Sequence, residues 1–152
     1  MSKMKLLLVD DEERFLETTK KLLERKGYQV ITANNGKAAM QALHSQSVDV
    51  VILDVKMPGE DGNTILREIK QQFPLVEVIM LTGHATIESA VDGLKCGATD
   101  YLTKPADIEE VVRKAEEAYE KRKRMEDKIC QAQSKKFMKS ARKSLNESVV
   151  RE

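Results

Sequence analysis

Short apolar runs alternate with helix-period segments along the first 119 residues, and this alternation leaves few folds open. The runs are KLLLV (5–9), YQVITA (28–33), VDVVIL (48–53), VEVIML (76–81) and the weaker TDYLT (99–103). In the middle runs β-branched residues fall on both faces, the pattern of strands covered on both sides. Between the runs apolar residues recur every three or four positions. Phe15, Leu22 and Leu23 mark a first helix, and Ala38, Ala39, Ala42 and Leu43 a second. Ile65, Leu66 and Ile69 mark a third, and Ile87, Ala90, Val91 and Leu94 a fourth. Each helix then offers one apolar stripe to a sheet. Gly27, Gly36, Gly59, Gly62 and Gly97 stand at the joins. Strands alternating with helices predict right-handed crossovers and an α/β doubly wound parallel sheet. Ligands of such sheets lie beyond the carboxyl ends of the strands.

Composition removes several other classes. At 152 residues and 41% hydrophobic, the chain has apolar side chain enough for one domain plus an appendage. No apolar run nears the roughly 18 residues of a membrane span. The N-terminus, MSKMKLLLVDDEE, turns acidic after four apolar residues, so no signal peptide is expected. Cys96 and Cys130 form neither a zinc spacing nor a disulfide framework, and a reducing cytoplasm is the expected location. Net charge is +1 but divides unevenly. Residues 1–119 carry 15 basic and 20 acidic side chains, net −5, and residues 120–152 carry 11 and 5, net +6. An acidic domain over 1–119 followed by a basic helical extension and flexible tail over 120–152 is the expected organisation.

The residues just after the runs carry the chemistry. Asp10, Asp11 and Glu12 follow the first run, Asp54 the third, Thr82 with Gly83 and His84 the fourth, and Lys104 with Pro105 the fifth. Singly, each has an ordinary explanation: helix capping, a turn former, a surface hydroxyl. Jointly they gather at the ligand edge of one sheet. Two carboxylates about 4 Å apart repel by about 4 kcal/mol at an effective dielectric of 20, so three need compensation. A hard divalent cation supplies it, and carboxylate, carbonyl and water ligands favour Mg²⁺. With Lys104 the charges then balance. Such a site suits phosphoryl transfer, in which a carboxylate can itself be the nucleophile.

The motifs LLLVDDE, VILDVKMPGEDG, VIMLTGHA and GATDYLTKP, in this order, resemble the receiver domain of two-component response regulators over residues 4 to about 120. The stretch TGHATIESAVDGLKCGATDYLTKP most resembles receivers attached to sigma-54-dependent activators, here with no output domain following. The resemblance implies a flavodoxin-like fold, a five-stranded parallel sheet of order 2-1-3-4-5. It implies Asp54 as phospho-acceptor, with Asp10, Asp11, Asp54 and the backbone carbonyl of Lys56 around Mg²⁺. It implies that Lys104 pairs with the phosphoryl group, that Thr82 is the switch hydroxyl, and that Tyr101 is the aromatic turning inward with it. Lys56 and His84 fall at positions that tune dephosphorylation in the family, and the Lys104–Pro105 bond is expected to be cis. Implied partners are a sensor histidine kinase or a histidine phosphotransfer protein, together with a downstream protein. The expected role is a stand-alone switch rather than a classical enzyme.

Competing enzymes fail on motifs. A haloacid-dehalogenase-type phosphatase wants a second Asp two residues after its nucleophile, where Lys56 stands. No Walker A stretch and no G-x-G-x-x-G occurs, and DDEER after the first run would repel a nucleotide phosphate. His44 falls in the second helix and is expected at the surface.

From Asp107 the pattern turns helical. Asp107 and Glu110 suggest a capping box, and Ile108, Val111, Val112, Ala115 and Tyr119 an inward stripe. Pairs at i,i+4 are expected between Glu109 and Arg113, Glu110 and Lys114, Glu117 and Lys121, and Glu120 and Arg124. The helix is expected to reach about residue 130. A thin seam, Met125, Ile129 and Ala132, leaves a phosphorylation-dependent homodimer open. Residues 133–152 are polar and basic, and are expected to be disordered or to fold on a partner. Sequence-specific DNA binding is not expected, and neither is a membrane partner.

Overall fold

The structure, a computed structural model, describes residues 4–83 and 87–150. Its strands are β1 (Lys5–Val9), β2 (Gln29–Ala33), β3 (Val50–Asp54), two short strands β4 (Lys56–Met57) and β5 (Glu60–Asp61), β6 (Glu77–Thr82) and β7 (Asp100–Thr103). Its helices are α1 (Glu13–Arg25), α2 (Gly36–Ser45), α3 (Gly62–Gln72), α4 (Ile87–Lys95) and α5 (Ile108–Val150). Five strands form one parallel sheet in the order β2-β1-β3-β6-β7. Without the small β4–β5 hairpin this is the 2-1-3-4-5 order of the flavodoxin-like fold. The Lys104–Pro105 bond is cis.

Alternation along each strand builds two cores. Leu7, Val9, Val51, Leu53, Val78 and Met80 meet Ala39 and Leu43 of α2 and Ile65, Leu66 and Ile69 of α3. The alternate residues Leu6, Leu8, Val50, Ile52, Ile79 and Leu81 meet Leu16 and Leu23 of α1 and Val111, Ala115 and Ala118 of α5. Both faces of β1, β3 and β6 are thus covered, which accounts for their unbroken apolar runs.

Two predicted stripes shift. In α1 the buried residues are Leu16, Thr19 and Leu23, whereas Phe15 is half-buried and Leu22 is 37% exposed. In α4, Val91 and Leu94 are 41% and 50% exposed and do not pack inward. Gly93 is buried there, and a Cβ on it would stand 3.6 Å from both Met80 Cγ and Tyr101 Cε2. Gly93 sets the line of contact there, and Val91 and Leu94 lie outside it.

Backbone contacts group Met1–Arg122 as one compact unit and Lys123–Glu152 as another. At the end of the first unit Arg122 donates to the Val48 carbonyl at 2.6 Å and lies 3.7 Å from Asp49. Two cations expected to pair along α5 reach the sheet instead. Lys114 bonds Asp100 at 2.7 Å and Lys121 lies 3.8 Å from Glu77, while Arg113 pairs with Glu117 at 3.5 Å. The helix does not stop near residue 130 and the tail is not irregular: α5 runs to Val150. No Gly or Pro interrupts residues 108–150, and Lys, Arg, Gln, Ala and Met are strong helix formers.

Candidate functional site

Four strand ends and one loop bring the site residues together. Asp10 follows β1, is 1% exposed, and is held by its own backbone N–H donating to the Ala33 carbonyl at 3.1 Å. Its Oδ1 accepts from the Glu12 backbone N–H at 2.9 Å, fixing one oxygen toward the start of α1. Asp54 closes the neighbouring strand β3, is 6% exposed, and accepts from the Lys56 backbone N–H at 3.3 Å. Asp11 is exposed at the mouth. Carboxylate oxygens of Asp10, Asp11 and Asp54 all lie within 4.8 Å of one another. A shallow depression of about 610 Å³, lined by Asp11, Lys56, Met57 and Pro58 among others, opens beside Asp11.

Lys104, after β7, supplies the opposing charge. Its Nζ lies 2.5 Å from Asp10 Oδ2 and 3.8 Å from both Asp54 Oδ2 and Glu12 Oε1. It also sits 4.6 Å from the centroid of the Phe15 ring. Its own backbone is fixed by the N–H donating to the Thr82 carbonyl at 2.6 Å. Burial by itself would lower the Lys104 pKa, but the hydrogen bond and charge of Asp10, then Asp54 and Glu12, raise it above the ordinary value. For Asp54 burial dominates: with the charges of Asp10 and Asp11 it outweighs the opposing effect of Lys104 and the Lys56 N–H, and pushes the carboxyl up to about 6. An acid raised by burial and by other acids is a site short of positive charge.

Thr82, 2% exposed, ends β6 beside Thr103 of β7. Tyr101 is half-buried with its ring edge on α4 at Gly93. Lys56 is exposed on β4. His84 lies outside the described residues.

Backbone devices hold the loop after Asp54 in place. Gly59, at φ +73, with Pro58 before it makes the two-residue turn between β4 and β5. The Gly62 N–H donates to the Val55 carbonyl at 2.9 Å, and a Cβ on Gly62 would fall 2.6 Å from that oxygen and 2.9 Å from the Asp54 carbonyl. Both Glu60 carboxylate oxygens accept from the Gly36 N–H, at 3.0 and 2.9 Å, and tie this loop to the start of α2. The sequence reading missed this link. Its signal was a carboxylate in a turn otherwise built of Met, Pro and Gly. Phe15, assigned to the sheet-facing stripe, packs partly against that core and also flanks Lys104 with its ring, a contact the stripe did not foretell.

Comparison with known proteins agrees with this geometry. The family described as response regulator receiver domain matches residues 6–116. This chain belongs to that family. The DNA-binding transcriptional regulator NtrC of Escherichia coli K12 is 39% identical to the receiver over 111 residues, 73% of this chain and 24% of NtrC. The chain thus spans about a quarter of the length of that relative. A receiver domain structure from Clostridium thermocellum is 38% identical with a TM-score of 0.76, covering 80% of this chain and 98% of that one. A response regulator from Burkholderia pseudomallei, solved with a phosphorylated aspartic acid, calcium ion and citrate, is 29% identical with a TM-score of 0.71, covering 78% and 72%. Receiver domains are signalling switches of two-component systems rather than classical enzymes. Among the described residues of this receiver no helix is long and apolar enough to cross a membrane.

Proposed function

We propose that this receiver is switched by phosphorylation of Asp54. The observation that carries the reading is the buried Asp54 carboxylate, within reach of Asp10 and Asp11 and 3.8 Å from the Lys104 ammonium. The donor set, three carboxylates around one point, fits a hard divalent cation, and Mg²⁺ suits phosphoryl transfer. Asp10, Asp11, Asp54 and the Lys56 carbonyl would hold it, and bound there it neutralises charge on the transferring group. An Asp54 oxygen attacks phosphorus as the nitrogen–phosphorus bond of a kinase phosphohistidine breaks. Lys104 meets the incoming phosphoryl oxygens. The product brings about −1.5 to −2 charges into the site. The Thr82 hydroxyl then moves toward them and Tyr101 follows, which alters the surface near α4 and α5 for a downstream protein. Lys56 and His84 occupy the sequence positions that tune dephosphorylation in the family. The phosphorylated aspartic acid of the Burkholderia pseudomallei relative supports the assignment.

The test is labelling by acetyl phosphate with Mg²⁺, read as a mass gain of one phosphoryl group. Wild type should label once and Asp54→Asn should not. Stoichiometric labelling of Asp54→Asn would overturn the assignment. Asp11→Ala should weaken Mg²⁺ dependence, and Thr82→Ala should label but switch poorly in an assay of binding to the downstream partner. Transfer onward to a histidine phosphotransfer protein would place the receiver mid-relay rather than at its end.

A further inference from the structure

The distal part of α5 has a division of side chains that phosphoryl chemistry does not use. At about 100° per residue, Cys130, Ser134, Phe137, Met138, Ala141 and Leu145 fall within one arc of about 100°. Phe137, Met138 and Leu145 are 71%, 54% and 66% exposed. Lys128, Lys135, Lys136, Lys139, Arg142 and Lys143 fall within a separate arc of about 120° on the same projection. No acidic residue occurs from Lys128 to Asn146. From Gln133 to Asn146 apolar and cationic side chains are therefore sorted onto different faces of one helix that has no Gly or Pro to break it.

Three occupants compete for that surface. A second copy of the helix is disfavoured twice. The proximal stripe Met125, Ile129 and Ala132 points about 170° away from the distal one, so no single seam runs along the extension. Six cations with no intervening acid would also repel one another across a pair. Nucleic acid would satisfy the cations but leave Phe137, Met138 and Leu145 in water. A surface with apolar depth and negative charge satisfies both faces at once.

We propose that the distal half of α5 is an interfacial helix that lies on an anionic lipid bilayer. Phe137, Met138, Ala141 and Leu145 enter the headgroup boundary. Lys135 and Arg142 border the apolar arc and reach phosphate groups directly, and their long stems allow this. The remaining cations lie within about one helix diameter of the surface, comparable with a Debye length of about 8 Å in physiological salt. The sequence reading set membranes aside for want of a span, but a helix lying on a bilayer needs none. The inference goes beyond the switching of Asp54 and does not depend on it.

The experiment is co-sedimentation of the full chain with extruded vesicles. One set is phosphatidylglycerol and phosphatidylcholine in equal parts, the other phosphatidylcholine alone. Binding to the anionic set should be at least about tenfold tighter and weaken with salt. A Phe137→Ser, Leu145→Ser variant should lose about tenfold through its apolar arc. A Lys135→Gln, Lys139→Gln, Arg142→Gln variant should lose the preference for anionic lipid. Circular dichroism and acetyl phosphate labelling of each variant should match wild type. No binding to anionic vesicles, or binding indifferent to the serine variant, would overturn the proposal. Duplex DNA binding abolished only by the glutamine variant, with no vesicle binding, would assign the surface to nucleic acid instead. A doubled mass abolished by the serine variant, again without vesicle binding, would assign it to self-association.

Discussion

Lys104 Nζ stands 2.5 Å from Asp10 Oδ2 across 94 residues of sequence, with Asp10 only 1% exposed. The pair joins the end of β7 to the end of β1, which lie at different places in the sheet order. It means that one carboxylate of the acid cluster is balanced by the protein itself. Asp54, 3.8 Å from the same ammonium, receives only what is left. Asp10 raises the Lys104 pKa, whereas for Asp54 the more distant ammonium does not offset burial and the Asp10 charge, and the carboxyl is pushed up to about 6.

Breaking the pair from one side should be costly. Lys104→Met leaves Asp10 buried without a counter-charge, and a loss of about 3 kcal/mol is expected. Asp10→Asn combined with Lys104→Met should cost less than the sum of the single changes, because no orphaned charge remains. Urea midpoints of the four proteins in chelator measure the coupling, and strict additivity would show that the two groups act independently.

Asp54 makes a pH dependence with a definite sign. Unfolded, its carboxyl titrates near 3.8; folded, near 6. The folded chain therefore binds an extra proton between those values, and in chelator its stability falls as pH rises from 4 to 6. Asp54→Asn should remove that slope and raise neutral-pH stability by about 2 kcal/mol. Mg²⁺ should stabilise wild type at neutral pH more than the variant. Thermal melts across pH, with and without Mg²⁺, read both effects.

Gly62→Ala should fail locally. Its Cβ would fall 2.6 Å from the Val55 carbonyl oxygen and 2.7 Å from Val55 Cα, and backbone cannot rotate away as a side chain can. A loss of about 2 kcal/mol is expected. Because the Asp54 carbonyl is also met, at 2.9 Å, acetyl phosphate labelling should slow as well. Labelling at the wild-type rate would show that the β3–α3 loop adjusts without moving the acceptor.

Glu60 separates charge from hydrogen bonding at the start of α2. Glu60→Ala removes both acceptors of the Gly36 N–H and should cost about 1 kcal/mol. Glu60→Gln keeps one acceptor and loses the favourable charge at a helix N-terminus, so about half that loss is expected. Amide exchange in the first turn of α2 should quicken in the same order.

The strands were legible because burial on both faces leaves an unmistakable run: KLLLV is β1 to the residue. Asp10, Asp11 and Asp54 were legible for the same reason, since a residue that ends a recognisable strand has its place in the sheet. Helix stripes were harder. Thr19 shares the buried line of α1, which a count of apolar residues passes over, while Phe15 and Leu22 border a groove with Pro105 and Ile108. In α4 the buried Gly93 lies against Met80 and Tyr101 while Val91 and Leu94 are exposed, so those two large side chains mark the wrong face. The distal part of α5 was misread because its polar, basic composition resembles that of disordered segments. A helix without breakers continues whether or not a partner covers it.

Arg122 gives the chain two tiers of resistance. Beyond it α5 belongs to the second compact unit, where it unwinds in steps of a fraction of a kcal/mol per residue. At Arg122 the unwinding meets the bond to the Val48 carbonyl and the Asp49 carboxylate, and behind them the packed Ala118 and Ala115. A protease acting on the native protein would trim the extension and stall there. What it left behind would be a complete receiver with its acid cluster intact.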